Sequence, residues 1–372
     1  MRIGIDAREL CGRSTGVGRY LGGLLREWAN DDRARAHEFV LYAPGQIGAS
    51  LDARRFPTRT VAGGAGTWWE QVEVPRAVVS DHLDVWFAPA YTAPLRIAIP
   101  TVVAIHDLSF IAHPEWFRMR EGARRRWLTG QAASRASAVV TISQFSKHEL
   151  IERLAVPADK IHVIPPGIDE GDWASGARTS VHSPSPQSLP PNPYRVLFVG
   201  SVFNRRHVPD LIRAFAPIAR ARPDASLDIV GDDRTYPHED LPRTIAAQQI
   251  GAHVRWHQYV TDDQLALLYA QARAFAFLSE YEGLGLTPLE ALAAGVPPVL
   301  LDTAVARESC GEAALYVKLN DLPATTRALE SLILEGPIRE RILAAAPAEL
   351  SKFSWPRAGR DTLAVLEAAG RR

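Results

Sequence analysis

The 372 residues carry 42 Lys plus Arg against 42 Asp plus Glu, a formal net charge of zero, and 47% of them are hydrophobic. That is ordinary globular usage, long enough for two or three domains at roughly 150 residues each, and it excludes a disordered or fibrous chain. Balanced charge argues against a molecule that tracks a phosphate backbone, so no nucleic-acid partner is expected. Cys11 and Cys310, the only cysteines, allow neither a disulfide framework nor a cysteine-rich zinc site, which suits a reducing compartment. The segment Met1-Arg2-Ile3-Gly4-Ile5-Asp6 reads as a short strand and not as a targeting peptide, and no window approaches the ~18 apolar residues of a spanning helix. A cytoplasmic protein is expected.

Short β-branched runs alternate with longer Ala, Leu and Arg stretches of helical period, the rhythm of βαβ units around parallel sheets. In a first half, strands are expected at Ile3 to Ile5, Phe39 to Tyr42, Val85 to Phe87, Val102 to Ile105, Ala138 to Ile142 and Ile161 to Ile164. Gly16 and Gly18 follow the first strand and precede a helix expected from Tyr20 to Trp28. A tight loop explains this Gly-x-Gly as well as a phosphate or acceptor contact does, and the missing third glycine disfavours a nicotinamide enzyme. His106 and Asp107 end the strand that starts at Val102; a lone histidine there is by default structural, with Asp107 free to orient the ring or cap the next helix. Phe117 to Leu128 mixes arginines with aromatics. It reads first as a solvated helix face, and second as a membrane-surface patch that receives lipid-linked acceptors.

Residues 174–194 are Ser, Pro, Gly and Asn in a density that sustains neither period, and they are read as a linker. The expected division is a domain over 1–173, the linker, a domain over 195–352 and a closing helix within 353–372, with Ser354 as its cap and Trp355 as its anchor. That helix either completes the second domain or crosses back to the first. Second-half strands are expected at Val196 to Val199, Leu227 to Val230, Val254 to Trp256, Ala274 to Leu278, Pro298 to Leu301 and Ala314 to Val317. Open α/β domains bind ligands beyond the carboxyl ends of their strands, so function is sought in the loops there and the crevice where two such domains face one another.

Two of those loops stand out. Arg205 and Arg206, followed by His207, come after the strand ending at Val199 and can hold a diphosphate by forked hydrogen bonds. Phe277 to Gly295 reads as strand, glycine-interrupted turn and helix, with Thr287 as expected N-cap, Pro288 at the first helical position and Glu290 as capping-box acid. The free N–H groups of such a helix start suit an anion. Glu282 lies in the turn, and with seven residues between it and Glu290 both acids can face one crevice. Taken alone, Glu290 is more often a cap than a ligand.

The stretch Tyr281-Glu282-Gly283-Leu284-Gly285-Leu286 through Glu290 strongly resembles the signature of the family 4 (group 1) glycosyltransferases, which have the GT-B fold of two Rossmann-like α/β/α domains. The resemblance extends from about Ile3 to Trp355. It implies a nucleotide-sugar donor and a glycan or lipid-linked glycan acceptor, transfer of a hexosyl group with retained anomeric configuration, and no need for a metal or other cofactor; no Asp-x-Asp triplet occurs. It implies catalytic roles for Glu282 against the donor sugar, for Arg205 and Arg206 on the diphosphate and for His106 on the sugar. Glu290 would bind the ribose, the backbone of Gly283, Leu284, Gly285 and Leu286 the sugar and phosphates, and Gly16 and Gly18 the diphosphate. His257 to Val260, Tyr259 included, would lie near the base. The family carries Arg-Lys-Asn where this chain has Arg205-Arg206-His207, a change at a site of fixed reach. GDP-mannose is the favoured donor, with other GDP, UDP or dTDP sugars open. Two other readings stand beside a transferase: a GT-B nucleotide-sugar epimerase and a catalytically silent sugar-nucleotide-binding protein.

Overall fold

The computed structural model describes residues 1–12, 16–48, 51–168 and 194–371. The linker expected over 174–194 lies outside them except for Tyr194. Two compact units form, Met1–Gly167 with Phe353–Arg372, and Ile168–Lys352.

The first unit holds a seven-stranded sheet in the order β3-β2-β1-β4-β5-β6-β7, built from β1 (Arg2–Asp6), β2 (Glu38–Ala43), β3 (Thr58–Thr60), β4 (Val85–Ala88), β5 (Thr101–Ala104), β6 (Ala138–Thr141) and β7 (Ile161–Val163). Every pairing is parallel, and the inner strands are apolar on both faces, with all four residues of β4 buried. β3 was not legible in the sequence. Its Thr58-Arg59-Thr60 is exposed throughout, so it carries no apolar signal and exists by pairing as an edge.

The second unit repeats the plan with a six-stranded parallel sheet in the order β10-β9-β8-β11-β12-β13. Its strands are β8 (Arg195–Val199), β9 (Ser226–Val230), β10 (Val254–His257), β11 (Ala274–Phe277), β12 (Pro298–Leu301) and β13 (Leu315–Val317). Each strand read from the sequence is present, with ends moved by a residue or so. In both sheets the chain order reverses once, between β1 and β4 and between β8 and β11.

The closing helix spans Trp355–Gly370, starts on Ser354, whose hydroxyl accepts from the Arg357 N–H, and belongs to the first unit. It packs against helix Gly16–Asn30 and along β4, β5 and β6. The Trp355 indole seats where Gly23 and Gly167 have no side chain, and a Cβ on either glycine would fall inside the ring. Trp28 Nε1 donates to the Gly359 carbonyl at 2.9 Å. Arg33 and His37 both hold Glu367, whose carboxyl sits below its usual range because of the hydrogen bond from Arg33.

Gly23 lies inside a helix, where alanine ordinarily stabilises by about 0.5–1 kcal/mol. Here the indole leaves no room, so Gly23→Ala should destabilise by about 1–3 kcal/mol, read as a lowered urea midpoint. An unchanged or raised midpoint would remove the indole from that seat.

Candidate active site

In the second unit the site grows from the reversal of strand order. β8 and β11 lie side by side, but their following connections leave toward opposite sides, so the loops at their carboxyl ends part and open a recess. Arg205 and Arg206 occupy a short 3-10 turn, Asn204–Arg206, after β8. Glu282 sits in the loop after β11, and the Glu280 N–H ties the two loops by donating to the Arg205 carbonyl at 2.9 Å.

The structure brings these three side chains together. Arg206 Nε donates to Glu282 Oε1 at 2.8 Å and its Nη1 to the Ser201 carbonyl at 2.9 Å, while the guanidinium lies 4.9 Å from the Phe277 ring centroid. Gly200 makes room for it: with φ +144 it adopts a backbone conformation that side chains resist, and a Cβ there would press on Arg206 Nη1. Arg205 stacks on Phe203 at 4.3 Å, with Nε 3.9 Å from Glu282 Oε1. That Nε is buried and makes no hydrogen bond among the described residues. The Ser279 hydroxyl donates to Glu282 Oε1 at 2.9 Å. Burial pushes the Glu282 carboxyl up, but the charges of Arg206 and Arg205 and the bonds from Arg206 and Ser279 outweigh it and hold it below its usual range. All three side chains are 12–15% exposed. Two guanidiniums around one carboxylate leave positive charge and an unmade hydrogen bond among largely buried side chains, which a group rich in anionic oxygens would satisfy.

The helix after this loop differs from the sequence expectation. It spans Leu286–Ala293 and its N-cap is Gly285 at φ +86, with no side-chain cap. Thr287 is therefore inside the first turn and Glu290 is no capping acid. The reason is Gly285 itself, whose left-handed conformation turns the chain into the helix two residues ahead of Thr287. Relieved of capping, Glu290 accepts from the Tyr269 hydroxyl at Oε2, 3.2 Å away. Gly283 and Leu284 are buried, so the Leu284 side chain serves the core and only its backbone faces the loop's chemistry. Tyr259 is 66% exposed in the loop after β10, and His257 Nε2 meets Asp228 Oδ1 at 2.9 Å.

In the first unit Gly16 and Gly18 do not form a loop before the helix. They lie in its first turn, in Gly16–Asn30, because packing of the buried face of Tyr20, Leu21, Leu24, Leu25 and Trp28 outweighs glycine's poor helix propensity. His106 follows β5 and is buried, with Nε2 donating to the Pro89 carbonyl at 2.8 Å. Tyr20 and Tyr91 meet its ring edge-on at 4.8 and 5.5 Å. Burial holds His106 below its ordinary value against the opposing pull of Pro89 and Asp107. Asp107 serves the next turn instead, accepting from the Ser109 N–H at 2.9 Å, the Ser109 hydroxyl at 2.6 Å and the Tyr91 hydroxyl at 2.7 Å.

Some partners escaped sequence reasoning. Ser279, three residues before Glu282, stood in the quoted motif but carried no assigned role. Tyr269 has no local signal at all. Arg8, with Asp6 and Glu70, forms a buried cluster beyond the end of β1 that Thr92 joins by donating to Glu70 Oε1 at 2.6 Å; only the Asp-x-Arg spacing of Asp6 and Arg8 hinted at it.

The family profile for group 1 glycosyl transferases matches residues 183–348, and that for glycosyltransferase family 4 matches residues 14–172. O-antigen chain mannosyltransferase B of Escherichia coli is 26% identical over 291 residues, covering 76% of this chain and 74% of that protein. D-inositol 3-phosphate glycosyltransferase of Segniliparus rotundus is 27% identical over 284 residues, 74% of this chain and 62% of its own length. Sucrose-phosphate synthase of Thermosynechococcus elongatus shares the fold at TM-score 0.77 and 16% identity, covering 99% of this chain and 98% of that one. Anabaena HepE, solved with UDP and glucose, does so at TM-score 0.73 and 20% identity, covering 99% of both chains.

His106 supplies a check on the first unit. Its folded pKa lies below the ordinary 6.5, so the unfolded chain takes up the proton first as pH falls. The stability it contributes is complete above about pH 6.5 and is lost as pH drops toward the folded value. Urea midpoints measured from about pH 7.5 down to about 5 should fall, and His106→Gln should flatten that part of the slope; an unaltered slope would mean that folding does not shift the His106 titration. Two profile matches that together take in both units, on two parallel sheets with the GT-B plan, identify the chain as a member of the group 1, family 4 glycosyltransferases, a retaining family.

Proposed function

We propose that the chain transfers a hexosyl group from a nucleoside-diphosphate sugar to a hydroxyl of a glycan or glycolipid, with GDP-mannose as the first donor to test. The observation that carries this reading is the Glu282 carboxylate held by Arg206 at 2.8 Å, with the Arg205 Nε 3.9 Å away and unbonded. Arg205 and Arg206 receive the diphosphate, whose charge grows as the bond from the anomeric carbon to the phosphate oxygen breaks. Glu282 holds the sugar hydroxyls, and its depressed pKa keeps it an acceptor at neutral pH. Glu290 takes the ribose. The family resemblance also assigns donor contacts to His106, Gly16, Gly18 and Tyr259. The acceptor oxygen bonds to the anomeric carbon on the face the phosphate leaves, and its proton passes to the departing phosphate oxygen. Mannose is favoured by two Escherichia coli relatives, the mannosyltransferase above and serotype-specific mannosyltransferase WbdA, 26% identical over 265 residues. HepE with UDP and glucose keeps UDP-glucose next in line.

The lipid-linked form of the acceptor has its own support. Helix Met119–Arg135 displays Met119 at 84% and Trp127 at 60% exposure among the exposed Arg118, Arg120 and Arg124. Arg124 bonds the Thr67 hydroxyl, and the neighbouring Trp68 is 69% exposed. Aromatic and cationic groups side by side suit an anionic lipid surface.

Glu282→Ala, Arg205→Ala and Arg206→Ala should each lower kcat/KM with the matching donor by about 100-fold or more, with the fold kept by circular dichroism; full transfer by Glu282→Ala overturns the site. A thermal-shift panel of GDP, UDP and dTDP should single out the base, since ligand at 100 times Kd stabilises by about 2.7 kcal/mol. The protein should float with anionic liposomes at low salt and release as salt rises; failure to float removes the membrane contact.

A further inference from the structure

We propose that Tyr269 is a positioning residue for the nucleotide end of the donor: its hydroxyl holds the Glu290 carboxylate in the orientation that meets the ribose hydroxyls. The proposal rests on the ribose role given to Glu290 above. Tyr269 lies in helix Asp262–Gln271 and is 0% exposed. Its ring packs against Phe275 of β11, with 6.1 Å between centroids, so the phenol has a fixed direction. Its hydroxyl donates to Glu290 Oε2 at 3.2 Å. An ionised carboxylate only accepts, and the terminal torsion of a glutamate is broad when nothing holds it. A rigid donor on Oε2 narrows that torsion before any nucleotide arrives, so less freedom is lost on binding. The helix that carries Glu290 is entered through Gly285 without a side-chain cap. The bond also satisfies Tyr269, since a buried phenol needs an acceptor, and the test must separate packing from positioning.

The probes are GDP and UDP, each against its 2′,3′-dideoxy form, titrated by calorimetry into the full chain. The wild type should bind the ribose form of its preferred nucleotide more tightly. Tyr269→Phe keeps the ring and should weaken the ribose form about three- to tenfold while leaving the dideoxy form within about twofold. In a Glu290→Ala background the same change should have no further effect. Equal weakening of both forms means packing alone and overturns the proposal, as does an unchanged ribose affinity. A wild type that binds both forms alike overturns the Glu290 assignment itself, and this inference with it. Should Tyr269→Phe fail to fold, Glu290→Asp leaves the tyrosine in place and draws the carboxylate back by one methylene. Its ribose-to-dideoxy ratio should fall, and a full ratio there overturns the proposal.

Discussion

One carboxylate oxygen, Glu282 Oε1, organises the second unit. Arg206 and Ser279 both donate to it and Arg205 approaches it, so two loops far apart in the sequence, the one after β8 and the one after β11, are fixed by one atom. The arrangement needs the strand reversal between β8 and β11, which sets the two loops side by side, and it needs Gly200, whose bare backbone admits the Arg206 guanidinium. Downstream, Gly285 turns the same chain into the helix that carries Glu290. A loss at any of these points propagates along the line, because a buried charge left without its partner is costly.

The first unit applies the same rule with the opposite sign. Beyond the end of β1, two carboxylates, Asp6 and Glu70, share one guanidinium, that of Arg8; beyond the end of β8, two guanidiniums share one carboxylate. A chain of zero net charge thus carries an acid-rich cluster at one topological break and a base-rich cluster at the other. Parallel strands make this workable, since their apolar runs are buried on both faces and leave polar groups to the strand ends.

Much of this was legible in the sequence, for identifiable reasons. β8 and β11 are continuous apolar runs and could hardly be missed, whereas Thr58-Arg59-Thr60 becomes β3 only by pairing with Tyr42 and its neighbours. Arg205, Arg206 and Glu282 were found because their residue types and spacing are unusual in a loop. That they bond to one another was not legible, because proximity across a strand reversal has no sequence period. Thr287 was misplaced as a cap because Thr-Pro-x-Glu satisfies the local rule for a helix start, and only the backbone angle of Gly285 overrides it. Tyr269 lies 21 residues from Glu290, inside a helix whose pattern reads simply as core.

The first unit is discontinuous, since its closing helix is translated only after the whole of the second. Until Trp355 arrives, the seat beside Gly23 and Gly167 is empty and the apolar flank of β4, β5 and β6 lacks its cover. The second unit, contiguous in the chain, can therefore reach its final packing during synthesis, while the first must wait in an incomplete state. The sequence that starts earliest is thus the one that finishes last.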